Sequence, residues 1–246
     1  MLRVRPLVYT ADLTRAAGFL RALGLRPAGE PAAPDSYAVF DAGSGRVALH
    51  SCEPGSAEDG TAALAFDVAD VREFTRRTVE AGTEVGLSEE GHGLAARITA
   101  PDGLSFLADP GPPETGAPAS PLSVLALWYT PDVAPAARVL SDIGAKARIS
   151  SDAGTWHDFR AKNGGLVAAH TEQRVATELA FEYEGDVRDL VDGLTSGGFE
   201  PVIVDESYGR SLRVSAPWGA EVWVNEWQRD LYGYSAHPVP STGAAG

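Results

Sequence analysis

An Asp followed by a branched apolar residue and, twelve positions after the Asp, by a Gly recurs four times in this chain: Asp12-Leu13 to Gly24, Asp70-Val71 to Gly82, Asp132-Val133 to Gly144 and Asp186-Val187 to Gly198. An Asp carboxylate accepts from the orphan amides of a first helical turn, and Gly takes the left-handed conformation that ends a helix. Each copy therefore predicts a short helix of about three turns. Apolar runs suited to strands precede each Asp: Leu7-Val8-Tyr9, Leu64-Ala65-Phe66, Leu127-Trp128-Tyr129 and Leu179-Ala180-Phe181. The repeated unit thus opens with a strand and continues with a helix.

The stretch 111–121 is rich in Pro, Gly and small residues and lacks periodicity, as a surface linker does. It separates two halves that correspond at an offset of 115 to 120 residues. Tyr9-Thr10-Ala11-Asp12 matches Tyr129-Thr130-Pro131-Asp132, Phe40 matches Phe159, His50 matches His170, Arg97 matches Arg213, and Pro101-Asp102-Gly103 matches Pro217-Trp218-Gly219. Such a correspondence is duplication. After each helix come alternating or β-branched stretches separated by turn residues, so the unit is a strand, a helix and about three strands. The expected division is a first domain at 1–110, a linker at 111–121, a second domain at 122–230 and a C-terminal tail at 231–246, with disorder expected from Ser235 onward.

With 246 residues, 44% of them apolar, the chain can bury a substantial core. A net charge of −14 opposes nucleic-acid binding and suits solubility and cationic ligands. Cys52, the single cysteine, excludes an intrachain disulfide and fits a reducing compartment. No apolar run approaches the roughly 20 residues that span a bilayer, and Arg3 and Arg5 interrupt the start. The expectation is a cytoplasmic protein with no membrane or nucleic-acid partner, working as a monomer or homodimer on a small-molecule ligand.

The four modules, the helices opening with Asp-Leu or Asp-Val, the segment "LAFDVADV" and the "PDG" turn before a closing strand together resemble the vicinal oxygen chelate superfamily. That family includes glyoxalase I, extradiol dioxygenases, fosfomycin-modifying enzymes and bleomycin-binding resistance proteins. The resemblance implies an α+β fold in which four βαβββ modules form two tandem glyoxalase-like domains with curved mixed sheets. It also implies a divalent metal held on the curved sheet by His, Gln or Glu from opening and closing strands. Those positions align here with Arg5, Ala63, Leu125 and Glu178 on the opening strands, and with Leu107 and Trp223 on the closing ones. The fourth strands add Leu49 or His50, and Ala169 or His170, depending on register. Only Glu178 and the two histidines could ligate, one in the first half and two in the second, so that each half has fewer than the about three protein ligands such a site uses. The expectation is therefore no metal cofactor, although the family's divalent metal stays an alternative.

Alternation of strand side chains places Arg5, Leu7, Tyr9 and Asp67 on the cleft face of the first half. In the second half it places Leu125, Leu127, Tyr129, Glu178, Ala180, Glu182, Glu221, Trp223 and Asn225 there. Trp223 and Tyr129 offer stacking surfaces, and Glu178, Glu182 and Glu221 offer charge with Arg213 as counter-ion. Trp223 could equally plug a disused cavity, and the carboxylates could be solvated rim charges. The preferred expectation is metal-independent capture of a small molecule, such as a cationic aromatic natural product or antibiotic, as in the drug-sequestering resistance proteins. The alternatives are a lyase, isomerase or dioxygenase using His170 and Glu178 as acid, base or metal ligands, and a scaffold that has lost its pocket. His92, between two glycines, reads as a turn or a gate. In Trp156-His157-Asp158, alternation turns His157 away from its neighbours.

Overall fold

The computed structural model describes residues 2–29, 35–112, 117–206 and 209–237. Residues 113–116 of the expected linker and 238–246 of the expected tail lie outside this set. The first module comprises β1 (Leu2–Val4), β2 (Leu7–Thr10), α1 (Leu13–Ala22), β3 (Arg26–Pro27), β4 (Tyr37–Asp41) and β5 (Arg46–Ser51). The second comprises β6 (Ala62–Ala63), β7 (Ala65–Val68), α2 (Val71–Ala81), β8 (Val85–Glu90), β9 (Gly93–Thr99) and β10 (Ser105–Pro110). The third comprises β11 (Leu122–Thr130), α3 (Val133–Asp142), β12 (Lys146–Ser151), β13 (Trp156–Arg160) and β14 (Leu166–Thr171). The fourth comprises β15 (Ala176–Tyr183), a 3-10 turn (Val187–Leu190), α4 (Val191–Ser196), β16 (Val202–Glu206), β17 (Gly209–Ser215) and β18 (Glu221–Glu226), after which comes β19 (Tyr234–Ala236). The α+β architecture is thus the one the repeat implies.

Each punctuating Asp caps its helix, accepting from the amides of Arg15, Glu73, Ala134 and Arg188 in turn. Gly24, Gly82, Gly144 and Gly198 close the helices at φ of +102°, +118°, +96° and +80°, where a Cβ would be strained. The fourth copy departs from the expected three turns, because it begins as a 3-10 turn and its α-helix is only 6 residues long. Gly193 and Gly197 weaken helix propensity there, yet a Cβ at either would lie within 2.8 Å of Ala22 on α1. Close helix approach has been kept at the expense of helix length.

In the second half, nine strands form one sheet, β16-β17-β18-β15-β11-β14-β13-β12-β19, with the opening strands β11 and β15 antiparallel at its centre. The first half repeats the order in two sheets, β3-β4-β5-β2-β6 and β1-β7-β10-β9-β8. The break falls at Arg5-Pro6 and at Leu64, where the chain leaves the ladder, and Pro6 has no amide to donate. In both halves, therefore, a half's own two modules pair with each other. β19 pairs antiparallel with β12, and the Ser235 hydroxyl donates to Asp152 at 2.9 Å, which corrects the expected loss of structure from Ser235. An edge strand with unpaired amides gives that segment a partner that composition does not reveal.

The helices of the two halves meet, α1 against α4 and α2 against α3. One apolar core runs through both halves, including Val8, Phe19, Phe66, Phe106, Trp128, Leu140 and Phe181. Trp128 lies under its helix as alternation expects, and its indole donates to Asp102 of the other half at 2.8 Å. Two counterpart hydrogen bonds also cross the junction, Val4 N to Gly164 O at 3.0 Å and Val124 N to Ser44 O at 2.9 Å. The halves thus meet as the subunits of an isologous dimer do.

Candidate ligand-binding site on the concave faces

The helices and the shared core cover one face of each sheet, so the alternate side chains of the same strands line the opposite, concave face. In the first half that face is filled with charge. The Arg5 Nε donates to Asp67 at 2.6 Å, its Nη2 to Asp109, and its Nη1 to the Tyr37 hydroxyl at 3.2 Å. Arg46 donates to Asp41 at 2.5 Å and reaches Asp67 at 3.5 Å, while His92 lies 2.8 Å from Asp109. The side chains of Arg5 and Asp67 are only 7% and 8% exposed. Burial works against the Arg5 charge, but Asp67, Tyr37 and Asp109 outweigh it and raise its pKa. His92 is thus tied to this network by its ring.

The second half has an apolar floor instead. Leu125, Leu166, Ala168 and Ala180 form a cluster separate from the main core, on the other side of the sheet, with Leu127, Trp156 and Trp223 packed upon it. Tyr129, His170 and Trp156 adjoin this floor, the His170 ring standing edge-on to both neighbours at 5.5 Å. Register settles the fourth strands: His50 pairs with Tyr9 and His170 with Tyr129 on the concave side, whereas Leu49 and Ala169 are core. Burial holds the His170 pKa below its ordinary value, partly countered by Glu172. Its Nδ1 is buried without a hydrogen-bond partner among the described residues.

All the expected ligand-binding residues, Tyr129, Glu178, Glu182, Arg213, Glu221, Trp223 and Asn225, lie on this concave face or its rim, but their charges are already used. Arg174 bonds Glu178 and lies 5.2 Å over the Tyr129 ring. Arg213 bonds Glu221 at 2.7 Å and covers the Trp223 ring at 4.5 Å. Arg148 holds both oxygens of Glu182, at 2.8 and 2.7 Å, and also Asp158 at 2.6 Å. Glu221 thus pairs with the expected counter-ion Arg213, while Glu178 and Glu182 pair with Arg174 and Arg148. Asn225 accepts from Ser211 at 2.7 Å, leaving its amide nitrogen able to donate. The candidate acid–base pair His170 and Glu178 flanks Tyr129, whose pKa burial and then Glu178 push up to about 12.

Sequence reasoning missed Arg148, Asp158, Tyr37 and Asp109 as parts of these faces. Asp158 was within reach, because alternation already groups it with Trp156. Arg148 was not: β12 has a bulge between Ala147 and Ile149 that breaks the two-residue period.

Residues 3–112 match the family model described as the Glyoxalase/Bleomycin resistance protein/Dioxygenase superfamily. The first half belongs to that superfamily. No curated protein matches the chain in sequence. Among solved structures, the 2,3-dioxygenase LapB from Pseudomonas sp. KL28 is 16% identical, with 97% of this chain and 93% of that one covered at a TM-score of 0.62. A catechol 2,3-dioxygenase is 13% identical, with 96% and 94% covered at a TM-score of 0.60. A Mn(II)-bound glyoxalase from Novosphingobium aromaticivorans is 19% identical, with 91% and 80% covered at a TM-score of 0.56. These likenesses establish the fold of the whole chain. No helix of the described residues is long and apolar enough to cross a membrane.

The superfamily raises the question of a divalent metal, and the side chains here do not fit one. Of the opening and closing positions Arg5, Ala63, Leu125, Glu178, Leu107 and Trp223, Glu178 alone could ligate, and it is committed to Arg174. Among the described residues, no three His, Cys, Asp or Glu side chains are grouped so as to hold an ion. His50 and His170 face the concave side, but beside aromatic rings.

Proposed function

We propose that the protein binds a small aromatic molecule on the concave face of its second half, without a metal. The observation that carries this reading is the apolar floor of Leu125, Leu166, Ala168 and Ala180 with Trp156 and Trp223 upon it, a surface the first half has exchanged for ion pairs. Apolar floors with aromatic walls and a few placed polar groups are what small-molecule sites are made of. Asn225 supplies a polar group beside this floor. Because the carboxylates are neutralised in place, stacking and apolar burial, rather than attraction for a cation, supply the affinity.

The test is fluorescence titration of the protein with flat aromatic compounds. Saturable quenching is expected, and Trp223→Ala should weaken the affinity about thirtyfold, the loss of one aromatic anchor costing about 2 kcal/mol. Undiminished affinity in that variant would remove the assigned site.

A second reading is an enzyme of the isomerase, lyase or dioxygenase kind, and the dioxygenase and glyoxalase neighbours lean toward it. His170, its neutral form favoured by burial, would act as base beside Tyr129 and Glu178. It requires turnover with a bell-shaped pH profile that disappears in His170→Ala.

A further inference from the structure

Asp67 and Glu182 are counterparts in the duplicated halves, and each holds a guanidinium over its concave face. The arginines are not counterparts. Arg5 comes from the opening segment of the first half, where the second half has Leu125, whereas Arg148 comes from the bulge in β12. Two routes to a cation beside the same carboxylate indicate that the face requires a cation there.

The guanidinium groups also tie together strands that lie apart along the sheets. Arg5, just after β1, joins β7 and β10 through Asp67 and Asp109, and β4 through Tyr37. Arg148 joins β12 to β13 and crosses the concavity to Glu182 on β15, three strands beyond β13 in the sheet order. One cation with several directed contacts thus cross-links the walls of each face, as a metal cross-links its ligands. Around Arg5 the anionic side is Asp67 and Asp109, with His92 on Asp109 and Arg46 sharing Asp67.

We propose that a guanidinium borne by the chain is the resident cation of each concave face, in place of the exchangeable metal of the superfamily's enzymes, and that the place left by removing Arg5 accepts an outside cation. This goes beyond the ligand reading and does not depend on it.

The experiment uses full-length Arg5→Ala, freed of metal by chelation and melted alone, with millimolar methylguanidinium chloride and with micromolar Co²⁺. Wild type and Arg76→Ala, which removes an exposed helix arginine, are the references. The variant should melt about 10 °C below wild type, as expected when a buried ion pair loses one partner. At least half of that loss should return with one of the two cations, while neither reference gains stability. Recovery with neither cation, or a melting temperature equal to that of wild type, overturns the proposal. If the variant does not accumulate in folded form, it is diluted from urea into each cation: regained native circular dichroism supports the proposal, and none regained with either contradicts it.

Discussion

Arg5 would be costly to bury alone, and it is tolerated because Asp67, Asp109 and the Tyr37 hydroxyl all accept from it. Burial acts differently on the histidines. The pKa of His157 is lowered by burial and by the stacked His237, against the pull of Asp158, and that of His170 is lowered by burial, against Glu172. The unfolded chain keeps the ordinary value of 6.5, so as pH falls through 6.5 it takes up protons before the native state does. Stability attributable to these groups is complete above 6.5 and is lost as pH falls through the lower native values. Urea midpoints measured across this window should decline for wild type and decline less steeply for His157→Gln and His170→Gln. Equal slopes in all three would contradict the assigned burial effects.

At the scale of elements, much was legible because the signals were local. The capping Asp and terminal Gly mark where all four helical segments start and stop, and alternation assigns Trp128 to the core and Trp223 to the concave face without any tertiary information. What escaped the sequence depends on distant partners. Pro6 splits a strand that its counterpart β11 keeps whole, since the second half has Ala126 at that position. The fourth helix is short where glycines let it approach α1, and the start of the expected tail is a strand because β12 offers it an edge. Alternation groups the candidate residues on one face, yet the arginines that neutralise Glu178 and Glu182 come from elsewhere in the fold, and for Arg148 a bulge sets its direction. Facing follows from period, whereas pairing follows from topology.

At the scale of the whole molecule, duplication has produced two halves that share a core and differ in the chemistry of their concave faces. The junction is tight: Gly45 and Gly165 are counterparts, and a Cβ on Gly165 would lie 2.5 Å from the Val4 Cβ. Gly165 also has φ of +85°, so Gly165→Ala combines a steric overlap with backbone strain. A loss of about 3 kcal/mol or more in urea unfolding is expected. Gly18→Ala, with open space around its Cβ, should cost nothing measurable, and a similarly small loss at Gly165 would mean that the halves do not meet as described. The division of labour between the faces is read out by aromatic-ligand binding before and after exhaustive chelation. Saturable quenching of the tryptophans that is unchanged by chelation and shifted to weaker affinity in Trp223→Ala is the predicted result. Binding or turnover that disappears with chelation and returns with one divalent ion per chain would contradict it.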